Sequence, residues 1–264
     1  MSVYPPIVIT GAASGIGLAL AQRLPAQSIP IVAIDRRDCP VPGVRTIRCD
    51  LADPVAIAAA VEQLPGTIGG LASVAGVPGT LPARTVLAVN ILAPRLLVGA
   101  LLPRMRDGAA IVTVASVAAH RNTQPPDAIA ELAAIADLAG LDGWLDEHPM
   151  EGPAAYDTSK RVLVDWTTAL AAELIPRRIR ALSVSPGPIE TPILADFTTS
   201  MGAEAMSRSV DAVGRHGRPD EVAAVIAFAL SPDASWMNGI DLLVEGGLLA
   251  TRSAKFPALE GLLR

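Results

Sequence analysis

The chain is short of aromatics, cysteine, histidine and lysine, and each shortage removes a class of function. Aromatic residues make up 3% of the sequence and the net charge is −5, so neither a stacking platform nor a basic footprint for nucleic acid is expected. Cys39 and Cys49 are the only cysteines, and His120, His148 and His216 lie far apart. That is too little for a disulfide framework or a metal-ligand set, so no metal is expected and a reduced, cytoplasmic setting fits. Residues 1–22 carry no charged side chain. They have no basic start, and Pro5-Pro6 and three glycines interrupt them, which argues against a signal peptide or a membrane span.

The shortage of lysine points to a site. Of 21 basic residues only Lys160 and Lys255 are lysines, and Tyr4 and Tyr156 are the only tyrosines. In Tyr156-Asp157-Thr158-Ser159-Lys160, at the head of a helix expected over residues 156–174, a spacing of four sets phenol and ammonium on one face. A free phenol, with a pKa of about 10, is a poor acid or base at neutral pH. A neighbouring cation favours the phenolate, which would tune the pair for general acid/base work. Two ordinary residues on a solvated helix would show the same spacing.

Residues 7–9 read as a strand buried on both faces. They lead into Thr10-Gly11-Ala12-Ala13-Ser14-Gly15-Ile16-Gly17 and then a helical pattern over 18–24. Strand, glycine turn and helix suit a pyrophosphate, although a plain glycine turn would look alike. The next strand, 31–34, ends in Asp35, about the distance past Gly17 at which an acid accepts from an adenosine ribose. Asp35 should repel a 2′-phosphate, which favours NAD, although Arg36 and Arg37 follow it. A third strand, 44–49, leads to Asp50-Leu51, placed at an adenine, and Asp53 and Pro54 start a helix over 55–64. A fourth strand, 71–74, ends at Ala75-Gly76 with a flexible Pro/Gly loop behind it. A long helix over 84–102 carries Asn90, and a fifth strand, 110–114, ends at Ser116. Further on come a sixth strand over 179–184, Pro186-Gly187, and a helix over 219–230. Strands alternating with helices predict a doubly wound parallel sheet with ligands at the strand C-terminal ends.

Thr10-Gly11-x3-Gly15-Ile16-Gly17, Asn90, Ser116, Tyr156-x3-Lys160 and Pro186-Gly187 together resemble the motifs of the short-chain dehydrogenase/reductase family. Residues 238–247 resemble the family's last strand, so the likeness runs from about residue 7 to 247. It implies one Rossmann-type α/β domain over 1–264 and NAD-dependent exchange between a secondary alcohol and its ketone. It further implies that Tyr156 exchanges the hydroxyl proton, Ser116 bonds the reacting oxygen, and Lys160 holds the nicotinamide ribose. Asn90 would support a water linking Lys160 to solvent. Gly11, Ser14, Gly15, Ile16, Gly17, Asp35, Asp50, Leu51, Ala75, Gly76, Pro186 and Gly187 are the matching cofactor positions, with Ile189 and Thr191 near the carboxamide. An NAD-dependent sugar epimerase and a non-catalytic dinucleotide sensor are the alternatives. The first usually has a long C-terminal substrate domain, and the second often lacks the tyrosine or serine.

Two departures stand out. Ser73-Val74-Ala75-Gly76 replaces the family's usual Asn-Asn-Ala-Gly. Ser116 and Tyr156 are forty residues apart, where the family typically has about a dozen between them. The excess, residues 121–152, is similar to the insertion of the bacterial 3α-hydroxysteroid dehydrogenase/carbonyl reductases, as is Ser116-Val117-Ala118-Ala119-His120. Asp127 is expected to cap a helix whose stripe is Ile129, Leu132, Ala136 and Ala139, stopped by Gly140, with a second piece over 141–148. Residues 188–213 read as a mobile substrate loop in which Phe197, Met201 and Met206 line an apolar pocket. Together with the insertion they suggest a hydrophobic substrate: a hydroxysteroid, or an alicyclic or aryl ketone. His120, one turn past Ser116, is a candidate substrate contact. Family members commonly form tetramers through the helices matching those of Asn90 and Tyr156, so a homodimer or homotetramer is expected.

Overall fold

The computed structural model describes residues 4–201 and 203–252. In chain order the first half contains β1 (Ile7–Thr10), α1 (Gly15–Ala26), β2 (Ile31–Asp35), β3 (Arg45–Arg48), α2 (Pro54–Glu62), β4 (Ile68–Ser73), α3 (Ala83–Leu87), α4 (Ala93–Leu101) and β5 (Met105–Val114). The second half contains α5 (Pro126–Ala134), α6 (Leu138–Glu147), α7 (Gly152–Glu173), β6 (Arg180–Pro186), α8 (Leu194–Met201), α9 (Ala203–Val213), α10 (Pro219–Leu230) and β7 (Asp241–Val244). Seven strands form one parallel sheet in the order β3-β2-β1-β4-β5-β6-β7.

Both faces of the sheet are covered, which is why its central strands are continuous apolar runs. On one face Val8, Ile34, Leu71 and Ile111 meet Val61, Leu97 and Leu101. On the other, Ile9, Ala33 and Val112 meet Leu20, Leu24 and Ile226. The strand order reverses between β1 and β4, and at such a switch point the connections part to leave a crevice at the strand ends.

Several elements differ from expectation for identifiable reasons. β4 begins at Ile68, three residues before the expected strand, because Gly69-Gly70 hides its start. A side chain there has no room: a Cβ on Gly70 would lie 2.6 Å from the Ala110 carbonyl oxygen, and one on Gly69 would lie 2.3 Å from that of Pro5. β5 begins at Met105 rather than 110, since polar Arg106-Asp107-Gly108 interrupts the apolar pattern but not the strand. The helix expected over 84–102 is three pieces, with a π turn at Ala88–Leu92 between α3 and α4. Pro94 has no N–H to donate to the Asn90 carbonyl, and the helix widens around that missing bond. This helical stretch, Ala83–Arg104, is long and apolar enough to cross a membrane, but 67% of its apolar window is buried, as in a core helix.

The insertion forms two helices that divide before Leu138 rather than at Gly140. α5 ends at Ala134, where the Arg95 guanidinium donates to the carbonyls of Ala134 and Ile135. Asp137 then caps α6, accepting from the Gly140 N–H at 2.8 Å, so Gly140 lies in the first turn of a helix instead of ending one. Ala136 and Ala139 are exposed. Asp127 sits in the first turn of α5, with Pro125 at the cap. The expected substrate loop is largely helical, as α8 and α9. The side chains of Phe197, Met201 and Met206 lie outside the described part of the structure, as does the tail from residue 253.

Candidate active site

The glycine turn after β1 opens onto the crevice. Gly11 and Gly15 have φ of +73° and +54°, a left-handed conformation that favours glycine. Gly17 is required by crowding, because its Cβ would lie 2.1 Å from the Gly11 carbonyl oxygen. Thr10 was not singled out from sequence, yet it fixes the parting of the strands. Its hydroxyl oxygen accepts from the N–H groups of Val74 and Ala75, each at 3.0 Å. The threonine is visible in the motif, but its partners, more than sixty residues away, are not.

Asp35 ends β2 half-buried. Its carboxylate accepts from the Ala13 N–H in the glycine turn and from the Arg37 N–H, each at 3.0 Å, so the acid also braces the turn. Asp50 accepts from the Ala52 N–H at 3.0 Å, and Leu51 beside it is buried.

At the other end of the crevice Ser116 caps a short 3₁₀ turn, its hydroxyl accepting from the Ala118 N–H at 3.1 Å. The Ser116 hydroxyl lies near the Tyr156 phenol, close enough to oppose the effect of burial on it. Lys160 lies one turn on, as the spacing predicts, but its Nζ donates to the Val114 carbonyl at 2.9 Å and sits 5.4 Å from the Tyr156 ring centroid. It therefore lies beside the ring. The expectation that Lys160 lowers the phenol pKa is accordingly corrected for this arrangement. Burial pushes Tyr156 up to about 12, against the opposing effects of the Ser116 hydroxyl and the Arg121 charge, while Asp157 adds to the rise. Burial pushes Lys160 down to about 8.

The Lys160 shift carries a sign. A buried ammonium is penalised relative to the unfolded chain, where lysine titrates near 10.5. The penalty is fully present below about pH 8 and is relieved as pH rises from there to about 10.5, where the unfolded chain binds more protons. Urea unfolding of the wild type should show a rise in stability between pH 7.5 and 9.5, toward an upper bound of about 3 kcal/mol. Lys160→Met should lose most of that rise.

Asn90, 1% exposed in the π turn, does not line the crevice. Its Oδ1 accepts from the Val77 N–H at 2.9 Å, and its Nδ2 donates to the Val77 carbonyl and the Ser159 hydroxyl, each at 3.1 Å. It thereby ties the loop after β4 to α7. That loop is held closely rather than loosely: a Cβ on Gly79 would lie 2.7 Å from Pro153 Cα, and one on Gly152 would lie 2.2 Å from the Leu81 carbonyl oxygen. Gly76 faces both Asn90 and Lys160, its Cβ position being 3.3 Å from Oδ1 and 3.4 Å from Nζ.

One cleft of about 820 Å³ joins these groups. Gly11, Ser14, Gly15, Ile16, Gly17, Asp35, Asp50 and Leu51 line one end of it. Ala75, Gly76, Ser116, Tyr156, Lys160, Pro186, Gly187, Ile189 and Thr191 line the rest. The methyl group of Thr191 closes toward Gly15, 3.2 Å from its Cβ position. Thr80, Leu81, Thr85, Pro192, Ile193 and Asp196 also line the cleft and were missed from sequence, since none belongs to a motif. The exposed His120 does not line it. His148 instead stacks on Trp144, with ring centroids 4.3 Å apart.

A family model described as short chain dehydrogenase matches residues 6–125, and one described as enoyl-(acyl carrier protein) reductase matches residues 143–249. The gap between them, 126–142, holds α5 and the start of α6. The coniferyl-alcohol dehydrogenase of Pseudomonas sp. (strain HR199) is 35% identical, the match covering 93% of this chain and 96% of the relative. The 3-alpha-hydroxysteroid dehydrogenase/carbonyl reductase of Comamonas testosteroni is 33% identical, over 92% and 95% of the two chains. The crystal structure of the 3-alpha-hydroxysteroid dehydrogenase from Pseudomonas sp. B-0831, complexed with NADH, superposes with a TM-score of 0.81 at 31% identity, over 95% of this chain and 99% of that one. With family models matching both halves of the chain and relatives of 31–35% identity covering more than nine-tenths of it, the chain belongs to the short-chain dehydrogenase/reductase family and is an oxidoreductase of that family.

Proposed function

We propose that the protein is an NAD-dependent oxidoreductase that interconverts a hydrophobic alcohol and its carbonyl compound. The observation that carries this reading is that Ser116, Tyr156 and Lys160 line the same wall of one cleft, with the Lys160 ammonium held by the Val114 carbonyl beside the Tyr156 ring. Two hydroxyls on one wall of the cleft can both turn to one substrate oxygen. Tyr156 gives or takes the hydroxyl proton, and Ser116 donates to the oxygen as charge develops on it. Lys160 holds positive charge beside the phenol. Asn90 supports the water path to Lys160 with what its side chain has left, one lone pair on Oδ1.

The cleft fits a dinucleotide. Its volume of about 820 Å³ lies within the ~300–1,000 Å³ usual for ligand sites. The glycine turn leaves bare backbone at the N-terminus of α1, and an acid stands where an adenosine ribose would lie. The Pseudomonas relative carries NADH. When bound, the nicotinamide accepts or supplies the hydride. Asp35 would hold the ribose, and Asp50 and Leu51 the adenine. Gly11, Ser14, Gly15, Ile16 and Gly17 would hold the pyrophosphate. Ala75, Gly76, Pro186, Gly187, Ile189 and Thr191 would border the nicotinamide half.

Incubation with NAD and a panel of hydrophobic alcohols, including hydroxysteroids, 1-arylethanols and coniferyl alcohol, followed by absorbance of NADH, tests the reading. Failure on every member would count against it. NAD should exceed NADP in kcat/KM by on the order of 10–100-fold, the value of charge-assisted bonds to the ribose. Asp35→Asn keeps an acceptor for the Ala13 N–H and removes the charge, so it should narrow the gap by letting Arg36 and Arg37 meet the 2′-phosphate. A wild-type preference for NADP would show that the two arginines outweigh Asp35.

A further inference from the structure

Beyond the reacting end, the cleft walls are apolar: Val77, Leu81, Pro192 and Ile193. One carboxylate interrupts them. Asp196, in the first turn of α8, lines the cleft and reaches across toward the loop after β4. Among the described residues it has no ion-pair partner, and its one hydrogen bond comes from the Thr80 hydroxyl, at 3.3 Å to Oδ1. An O–H to carboxylate bond normally closes to about 2.5–2.7 Å. A carboxylate offers about four acceptor positions, so Thr80 leaves most of that capacity unused. The two other acids in the cleft, Asp35 and Asp50, already accept backbone N–H groups at the far end. Asp196 thus lines the cleft with acceptor capacity to spare and, among the described residues, no ion-pair partner to balance it.

We infer that Asp196, with Thr80 beside it, is a specificity residue that selects hydrophobic alcohols bearing a second hydrogen-bond donor, such as a phenol or distal hydroxyl, at the end away from the reacting carbon. The inference rests on the reading of Ser116 and Tyr156 as the group that binds the reacting oxygen. The same charge acts in two directions. It accepts from a neutral phenol, which keeps its proton at pH 7.5, and it repels a carboxylate in that position. A methyl ether keeps the shape but loses the donor, leaving Asp196 partly desolvated without a partner.

The test uses two lengths of secondary alcohol, 1-(4-hydroxyphenyl)ethanol and 4-(4-hydroxyphenyl)butan-2-ol, each with its 4-methoxy and 4-carboxy analogue. The wild type should favour the phenol over the ether by about 10–100-fold in kcat/KM for at least one length. It should turn over the carboxylate least of the three. Asp196→Asn, which keeps an acceptor for Thr80 but loses the charge, should collapse the phenol-to-ether ratio at least tenfold and raise the relative rate on the carboxylate. Titration of the corresponding ketones into the enzyme–NADH complex, followed by NADH fluorescence, gives the same comparison as dissociation constants without turnover. Equal handling of phenol, ether and carboxylate by wild type and variant in both assays would overturn the inference and leave the proposed function standing. Turnover of none of the alcohols, with the phenol ketone still bound selectively through Asp196, would overturn the proposed function and support the selectivity.

Discussion

Tyr156→Phe is expected to fold, bind NADH and lose turnover by at least about 10²–10⁴-fold, the usual contribution of a positioned acid/base. The tyrosine is 9% exposed and packs in a cluster with Val86, Ala118, Ala155 and Val162, so the ring supports the fold as well as carrying the hydroxyl. Phenylalanine keeps that packing. It also strands no donor: Ser116 is half-buried on the cleft, where its O–H can donate to water while its oxygen keeps the bond from the Ala118 N–H. A loss in kcat with unchanged melting temperature and unchanged NADH fluorescence titration therefore isolates the proton step. The phenol can be followed directly, because Tyr4 is the only other tyrosine. With burial holding Tyr156 near 12, the difference in absorbance at 295 nm between wild type and variant should show no phenolate below about pH 10. The linkage has the opposite sign to that of Lys160. A phenol whose pKa is raised on folding contributes stability that is complete below about pH 10 and is lost as pH rises toward 12. A Phe variant with wild-type kcat would remove Tyr156 from the reaction.

What the sequence could show depended on how far apart the interacting residues were. β1, β2 and β6 are short apolar runs ended by turn residues, and all three formed close to their expected bounds, because burial on both faces leaves an unmistakable composition. Lys160 followed Tyr156 by one helical turn, so their shared face needed nothing beyond helix geometry. The pKa of the phenol did not follow from that spacing. Whether an ammonium offsets burial depends on where its long side chain points, and here the Val114 carbonyl, forty-six residues back, draws it away. β4 was misjudged at its start because Gly69-Gly70 reads as a breaker until the neighbouring backbone that demands glycine is in view. Pro94 was a local signal that the Asn90 helix must widen. The caps of the insertion were misassigned because Asp127 and Asp137 are equally good caps by composition, and the guanidinium of Arg95, on another helix, decides where α5 ends. Thr80 and Asp196 come together across the cleft from positions more than a hundred residues apart, beyond the reach of periodicity.

Removing the insertion is expected to change the assembly of the protein rather than its chemistry. Ile129, Leu132, Leu141 and Trp144 are buried against Val86, Leu87, Ile91, Ala155 and Val162, so the apolar stripe finds its partner surface on the chain's own α3, π turn and α7. Polar contacts fasten the edges: Arg84 to Asp142, Arg121 to Asp157 in a two-point pair, and the Thr158 hydroxyl to Asn122. Among the described residues none from 121 to 152 lines the cleft, which favours a cover over a lid. The covered helices are those that carry Asn90 and Tyr156, where family members commonly meet in tetramers. With that face occupied, the intact protein should be a dimer by light scattering. Replacing residues 121–152 with a short linker uncovers large aliphatics, each worth about 1.5–3 kcal/mol on burial, and should drive association to tetramers or larger species. Leu132→Ala provides the gentler test. Leu132 is 1% exposed, and its truncation should cost about 2–5 kcal/mol in urea unfolding while leaving the dimer mass unchanged. If the linker variant instead keeps the wild-type mass and only its substrate affinity changes, the insertion is a lid and the interface reading fails.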